Sequence, residues 1–174
     1  MADLLANLKH IDQVRSIISF KFLTDGQILD LLSVSELVSY AEGEVILEEN
    51  DTGNHFYGIM EGTVSISVRE AEGRSVYVNS LGPGDVFGEA GIFMNVKRTA
   101  TVTSTGSVHI IRIARKDLVQ FIKKYPESGN KILLVIIYSL LRKLRMVNQE
   151  LAYERRCDAC QDDIDSMVES LFAD

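Results

Sequence analysis

The sequence predicts a mainly β domain flanked by helices, an antiparallel sandwich or barrel of jelly-roll type. Three observations carry this expectation. From about Gly43 to Ala114 brief β-rich runs are separated by glycine turns, whereas the residues before and after show helical spacing. The runs are "EVILEE", "HFYGIM", "TVSISVRE", "SVYVNS", "RTATVTS" and "VHIIRIA", with "DTGN", "EGT", "AEGR" and "LGPGD" between them. Alternation is clearest at Val64, Ile66 and Val68 and at Val76 and Val78. Six or more short strands with turns this frequent suit a closed or face-packed antiparallel sheet.

Residues 1–40 form the expected N-terminal helical segment. Leu4, Leu5, Leu8 and Ile11, then Ile28, Leu31 and Leu32, recur at helical spacing, with Thr24 or Asp25 as cap of the second helix. The roll is expected over 41–128. "RKDLVQFIKKYP" reads as one helix ending before Pro126, and a longer helix is expected from near Gly129 to about Arg155. In the latter, Leu133, Ile137, Leu140, Leu144, Val147 and Leu151 follow steps of four and three, a short heptad seam. Packing on its own barrel would cover part of that seam. Ile132, Leu134, Val135, Ile136 and Leu141 make its first half apolar nearly all round, which favours a second subunit, a homodimer through 129–156.

Composition limits what else the chain can be. With 46% hydrophobic and 25% charged residues in 174, it can bury a normal core. Its longest apolar run, Ile132 to Leu141, is too short to span a bilayer. The N-terminus lacks the features of a secretory signal, so the cytoplasm is the expected compartment and no membrane partner is expected. The net charge of −7 is concentrated at one end: residues 150–174 carry eight acids against two arginines, leaving −1 for the first 149. Such a tail repels a phosphate backbone, and no nucleic-acid partner is expected.

"DVFGEAGIFMNVKRTATV", residues 85–102, sets Glu89 and Arg98 nine residues apart. Alone, the pair would be read as an ion pair across a β-corner. The neighbouring residues suggest otherwise. Gly88, Ala90 and Gly91 leave the backbone amides open to close approach, and at the start of a helical turn those amides would favour an anion. Arg98 offers a planar, permanent cation suited to phosphate oxygens, and Lys97 adds positive charge. Glu89 would oppose an anion but can accept from a hydroxyl, as the acidic residue of dinucleotide folds does from ribose.

These residues resemble the phosphate-binding cassette of the cyclic nucleotide-binding domains found in cyclic AMP receptor proteins, kinase regulatory subunits and gated channels. That cassette is a Phe-Gly-Glu start, an apolar turn of helix, and an Arg followed by a small residue, Ala and often Thr-Val. Here Phe87, Gly88 and Glu89 precede "AGIFMNVK", then Arg98, Thr99, Ala100, Thr101 and Val102, within a cassette over 86–102. The likeness extends over about 15–151, through "EGEVILEENDTGNHFYGIMEGTVSISV", "VNSLGPGDVFGE" and "DLVQFIKKYP".

The resemblance implies an eight-stranded jelly-roll barrel with N-terminal helices and a long C-terminal helix, and a regulatory module that binds cyclic AMP or cyclic GMP. It implies Glu89 on the ribose 2′-hydroxyl and Arg98 on the cyclic phosphate, with Gly88, Ala90, Gly91 and Thr99 completing the cradle. Ile92 matches the aliphatic residue that passes cassette movement to the final helix. Lys97 stands where a proline often precedes the arginine, and Ala90 where leucine is usual; neither removes a contact the ligand needs. Thr99 occurs in members preferring guanine, yet small hydroxyl residues also occur in cyclic AMP binders. The base would meet the long helix between Leu140 and Asn148, leaving Arg142, Lys143 and Asn148 as candidates. The alternative function is a non-catalytic dimerisation or protein-interaction module of the same fold that binds no cyclic nucleotide.

Other constellations add less. Cyclic AMP receptor-type regulators continue into a winged helix-turn-helix, which the acidic residues after the long helix do not resemble. Residues 157–174 form the expected acidic tail helix. Its stripe of Ile164, Met167, Val168, Leu171 and Phe172 would dock on its own protein or dimer mate, or present 161–173 to a protein effector. Cys157 and Cys160 have CxxC spacing without a second pair, so neither a zinc site nor a disulfide scaffold is expected. A cupin-like enzyme needs clustered histidines, and His10, His55 and His109 are far apart in sequence; no catalytic or metal role is expected.

Overall fold

The computed structural model describes residues 10–70, 73–93 and 97–172, without the side chains of 92–93, 150–152 and 154–172. The predicted positions Leu4, Leu5 and Leu8 lie outside them. The chain divides into two compact units, Met1–Val135 and Ile136–Asp174, each described by itself.

In the first unit, helix α1 (10–16) is followed by α2 (Asp25–Ser33). Thr24 caps α2: its side chain accepts from the Gln27 N–H while the Gln27 side chain accepts from the Thr24 N–H, a reciprocal capping box. Eight strands then follow: β1 (Ser35–Tyr40), β2 (Val45–Leu47), β3 (His55–Glu61), β4 (Val64–Arg69), β5 (Ser75–Leu81), β6 (Val86–Phe87), β7 (Thr101–Ser104) and β8 (Val108–Ala114). The four-residue helix α3 (Ala90–Phe93) lies between β6 and β7, and α4 (Arg115–Lys124) follows β8. The strands make two four-stranded antiparallel sheets, ordered β1-β8-β3-β6 and β2-β7-β4-β5. This is the expected jelly roll, with flanking helices.

Residues 35–40, expected within the helical segment, are instead strand β1. The apolar spacing of Leu31, Leu32, Val34, Leu37 and Val38 extends the helical pattern, but α2 stops at its C-cap Val34. From Ser35 to Tyr40 every residue pairs with β8, Ser35 against Ile113 and Tyr40 against Val108. The partner strand lies some seventy residues away, beyond the reach of local periodicity.

Alternation along β3 assigns its two faces. Tyr57 and Ile59 enter the core between the sheets, with Val64, Leu81, Phe87, Val102, Val108 and Ile110. Phe56 and Gly58 face the segment that joins α1 to α2: the Phe56 ring meets Phe20 edge-on at 6.0 Å, and a Cβ on Gly58 would lie 2.8 Å from Ile17 Cδ1. Ile11, Val14, Ile17, Phe20, Leu23, Ile28 and Leu31 are all buried. A polar link also ties α1 to the roll, because Gln13 donates to Glu61 and Glu61 pairs with His109 at 3.3 Å. His10 Nδ1 lies 3.1 Å from Gln13 Oε1, so two histidines distant in sequence approach one short chain of polar groups. Among the described residues, no group of three or more His, Cys, Asp or Glu could hold a metal ion.

Helix α5 (Pro126–Phe172) begins three residues before the expected start. Proline suits the first helical position, where its missing N–H would have no partner. Gly129 is an interior residue with its N–H on the Tyr125 carbonyl at 2.7 Å. Its bare Cα admits α4, since a Cβ there would lie 2.7 Å from Ile122 Cγ2. Asp30 of α2 anchors the same corner, accepting from Lys124 Nζ at 2.5 Å and from the Tyr125 hydroxyl. Those two bonds, Lys124 first, hold the exposed Asp30 carboxyl below its ordinary value.

The second unit is helical from Ile136 to Phe172, with no break where a separate tail helix was expected after 156. Neither proline nor glycine occurs between Gly129 and Phe172 to stop it. Of the heptad positions, Ile137, Leu140, Leu144 and Val147 are exposed, as are Tyr138, Leu141, Met146 and Tyr153. Among the described residues no helix is long and apolar enough to cross a membrane.

Candidate functional site

A cleft of about 370 Å³ opens in the roll, lined by β2, the turn after it, the start of β3 and Arg98. Arg98 is only 7% exposed, unusual for a guanidinium, so its surroundings decide its role. Its main chain is pinned to the turn after β2. The Arg98 N–H donates to the Asp51 carbonyl at 2.8 Å, and the Asn50 N–H donates to the Arg98 carbonyl at 2.9 Å. Thr52 and Lys97 form an isolated antiparallel bridge beside them. Asn50 makes the turn possible with φ of 70°, a conformation asparagine tolerates.

The side chain is held by main-chain atoms. Nη1 donates to the Gly88 carbonyl at 3.2 Å and Nη2 to the His55 carbonyl at 3.1 Å, while Nε is buried without a partner among the described residues. The guanidinium carbon stands 5.8 Å from the centroid of the Tyr57 ring, which stacks on Phe87 at 4.9 Å and 3°. Glycines enclose the rest. A Cβ on Gly53 would lie 2.7 Å from Arg98 Nη2, and one on Gly91 would lie 2.7 Å from the Gly53 carbonyl and 3.0 Å from Arg98 Nη1. Gly88, at φ of +75°, turns the chain from β6 toward α3, and its carbonyl also accepts the Gly91 N–H at 3.2 Å.

The structure therefore brings together Gly88, Gly91 and Arg98 of the predicted set. Glu89 is buried at 6% exposure, and Ala90 opens α3. Thr99, next to Arg98, is exposed. The side chain of Ile92 lies outside the described ones. Arg142 and Asn148 are exposed and Lys143 half-buried, all on α5 within the second unit. Sequence reasoning missed Asp51, Thr52, Gly53, His55 and Tyr57. "DTGN" looked like a plain turn, and its closeness to Arg98 comes from pairing distant strands.

Titration behaviour follows from position. Burial, then the Arg112 guanidinium, holds the His55 imidazole below its ordinary 6.5, and burial raises the Tyr57 hydroxyl. Because the folded His55 value is depressed, the unfolded chain binds the proton more readily. The His55 contribution to stability is thus full above pH 6.5 and is lost as pH falls through the folded value. Wild type is expected to lose thermal stability between pH 7 and 5 more steeply than His55→Gln. Parallel profiles in thermal unfolding would refute this.

A model of the cyclic nucleotide-binding domain family matches residues 37–125, a little over half of the chain and the whole of this cleft. The chain belongs to that family. This cyclic nucleotide-binding domain is 31% identical over 133 residues to a CRP-like cAMP-activated global transcriptional regulator of Mycobacterium tuberculosis, covering 76% of the chain and 58% of that protein. It is 29% identical over 136 residues to a cAMP-dependent protein kinase regulatory subunit of Dictyostelium discoideum, covering 72% of the chain and 38% of the subunit. The domain thus spans little more than half of the first relative and less of the second. In fold it matches a cyclic nucleotide-binding domain from Methylobacillus flagellatus with a TM-score of 0.72 at 20% identity, covering 79% and 80% of the two chains.

Proposed function

We propose that the domain is a regulatory sensor whose cleft takes cyclic AMP or cyclic GMP, with the cyclic phosphate beside Arg98. The observation that carries this reading is a buried, permanently charged guanidinium walled by three glycines, whose Nε has no hydrogen-bond partner among the described residues. A buried cation without an anionic partner is costly, and a phosphate diester is an anion at any ordinary pH. The family match and the cyclic AMP named for both relatives support the same ligand class.

In this reading Arg98 binds the phosphate, the 88–91 amides and Thr99 complete the cradle, and Glu89 accepts from the ribose 2′-hydroxyl. Arg142, Lys143 and Asn148 remain the candidates for the base. Ligand shifts the conformational balance only through different affinity for two arrangements of the cassette and C-terminal helix. The exposed Ile137, Leu140, Leu144 and Val147 support a homodimer through this helix, with 161–173 offered to an effector.

Calorimetric titration with both nucleotides tests the assignment: no heat at millimolar ligand overturns it. The Glu89 role has its own test in 2′-deoxy cyclic AMP. Loss of one hydrogen bond to a carboxylate is expected to weaken wild-type binding by roughly 10- to 100-fold. Glu89→Ala should bind the two ligands alike. Equal discrimination by both proteins would remove Glu89 from the ribose.

A further inference from the structure

The cleft contains a second nitrogen base besides Arg98. His55 lies on the inner face of β3 with Tyr57 and Ile59, because alternate residues share a face, and its ring is 6.4 Å from that of Tyr57. It lines the same cleft as Arg98, and its carbonyl holds Arg98 Nη2. The inner face carries few other charges there. Arg112 of β8 pairs with Glu36 of β1, Asp117 of α4 lies within electrostatic range, and Glu48 and Asp51 line the β2 side. Two guanidinium groups act on His55 against the carboxylates of Glu36 and Asp117, and the ring is half-buried.

We propose that His55 is a ligand-binding residue of this cleft whose imidazole takes up a proton when a phosphate diester binds beside Arg98. The inference rests on the assignment of the cleft to a cyclic nucleotide. The positive Arg98 disfavours a second positive charge nearby; a bound monoanion offsets the Arg98 charge and, in contact with the ring, favours the imidazolium. The diester stays singly charged throughout the range in which histidine titrates, so the linked proton belongs to the protein. Burial and Arg112 already favour the neutral ring in the free protein.

The sign follows from linkage. Binding takes up protons only between the free and bound values of His55, so affinity rises as pH falls through that window and is flat on either side. The gain is about tenfold for each pH unit by which ligand raises His55.

The test is calorimetry of the full chain with cyclic AMP from pH 5.5 to 8, in buffers of different ionisation enthalpy, for wild type and His55→Gln. Expected are proton uptake and about tenfold tighter binding at the acid end for wild type, and neither for the variant. A histidine-detected NMR titration of wild type, with and without cyclic AMP, reads the same ring without mutation and should show its midpoint raised by ligand. Binding without proton uptake, or equal uptake by His55→Gln, overturns the role of His55 and leaves the assignment of the cleft standing. Absence of binding of both cyclic AMP and cyclic GMP at every pH overturns that assignment, and the His55 role with it.

Discussion

Arg98→Ala is expected to weaken cyclic AMP binding by about 10²- to 10³-fold while changing the stability of the ligand-free protein much less. Truncating one partner of a buried charge pair typically costs 2–5 kcal/mol in affinity, because the other charge is left desolvated. In the free protein, by contrast, the losses are two charge-assisted hydrogen bonds to main-chain carbonyls, about 1.5–3 kcal/mol each. They are offset by removal of a buried charge, whose desolvation costs several kcal/mol, and of Nε, which has no partner among the described residues. Arg98→Lys keeps the charge but cannot reach the Gly88 and His55 carbonyls with a fork, and should fall between the two. Calorimetry and ligand-free thermal unfolding separate the effects. An alanine variant that binds as tightly as wild type would show that the guanidinium does not meet the ligand.

Gly88→Ala is expected to destabilise the domain by about 2–5 kcal/mol and to weaken binding as well. A side chain at φ of +75° costs roughly 1–2 kcal/mol. The new Cβ would lie 2.9 Å from the His55 carbonyl and 3.0 Å from Tyr57 Cδ2 and Arg98 Nη1. The carbonyl is main chain in a paired strand, with His55 opposite Ala114, and it yields poorly. Relief of such crowding adds about 1–3 kcal/mol. Gly26→Ala is the control: no atom lies within 4 Å of its Cβ, and its helical setting predicts a gain of about 0.5–1 kcal/mol. Urea denaturation of the three proteins decides, and equal midpoints for Gly88→Ala and wild type would contradict the crowding argument.

How much of this was legible in the sequence depended on the range of the interactions. Strands at 64–69 and 75–81 showed in short alternation and flanking glycines, and the Thr24 cap in a three-residue pattern. The cassette was legible because Gly88, Glu89 and Arg98 sit within one window. Strand β1 was not, since its helical spacing is overridden by pairing with β8. Nor was the start of α5, where Gly129 resembles a boundary but serves close packing against Ile122. The other half of the cleft stayed hidden for the reason β1 did: Gly53, His55 and Tyr57 reach Arg98 only through strand register and the bonded turn at 50–52.

That turn has a mechanical consequence. With the main chain of Arg98 bonded in both directions to residues 50 and 51, and Lys97 bridged to Thr52, the far end of the cassette is sewn to the sheet. A segment tied at one end cannot slide; it can only pivot. Whatever swing α3 makes, the guanidinium stays with the turn rather than travelling with the helix. On the proposed reading, an arriving anion would meet a stationary part of the molecule first, and any movement of the helix would follow from it.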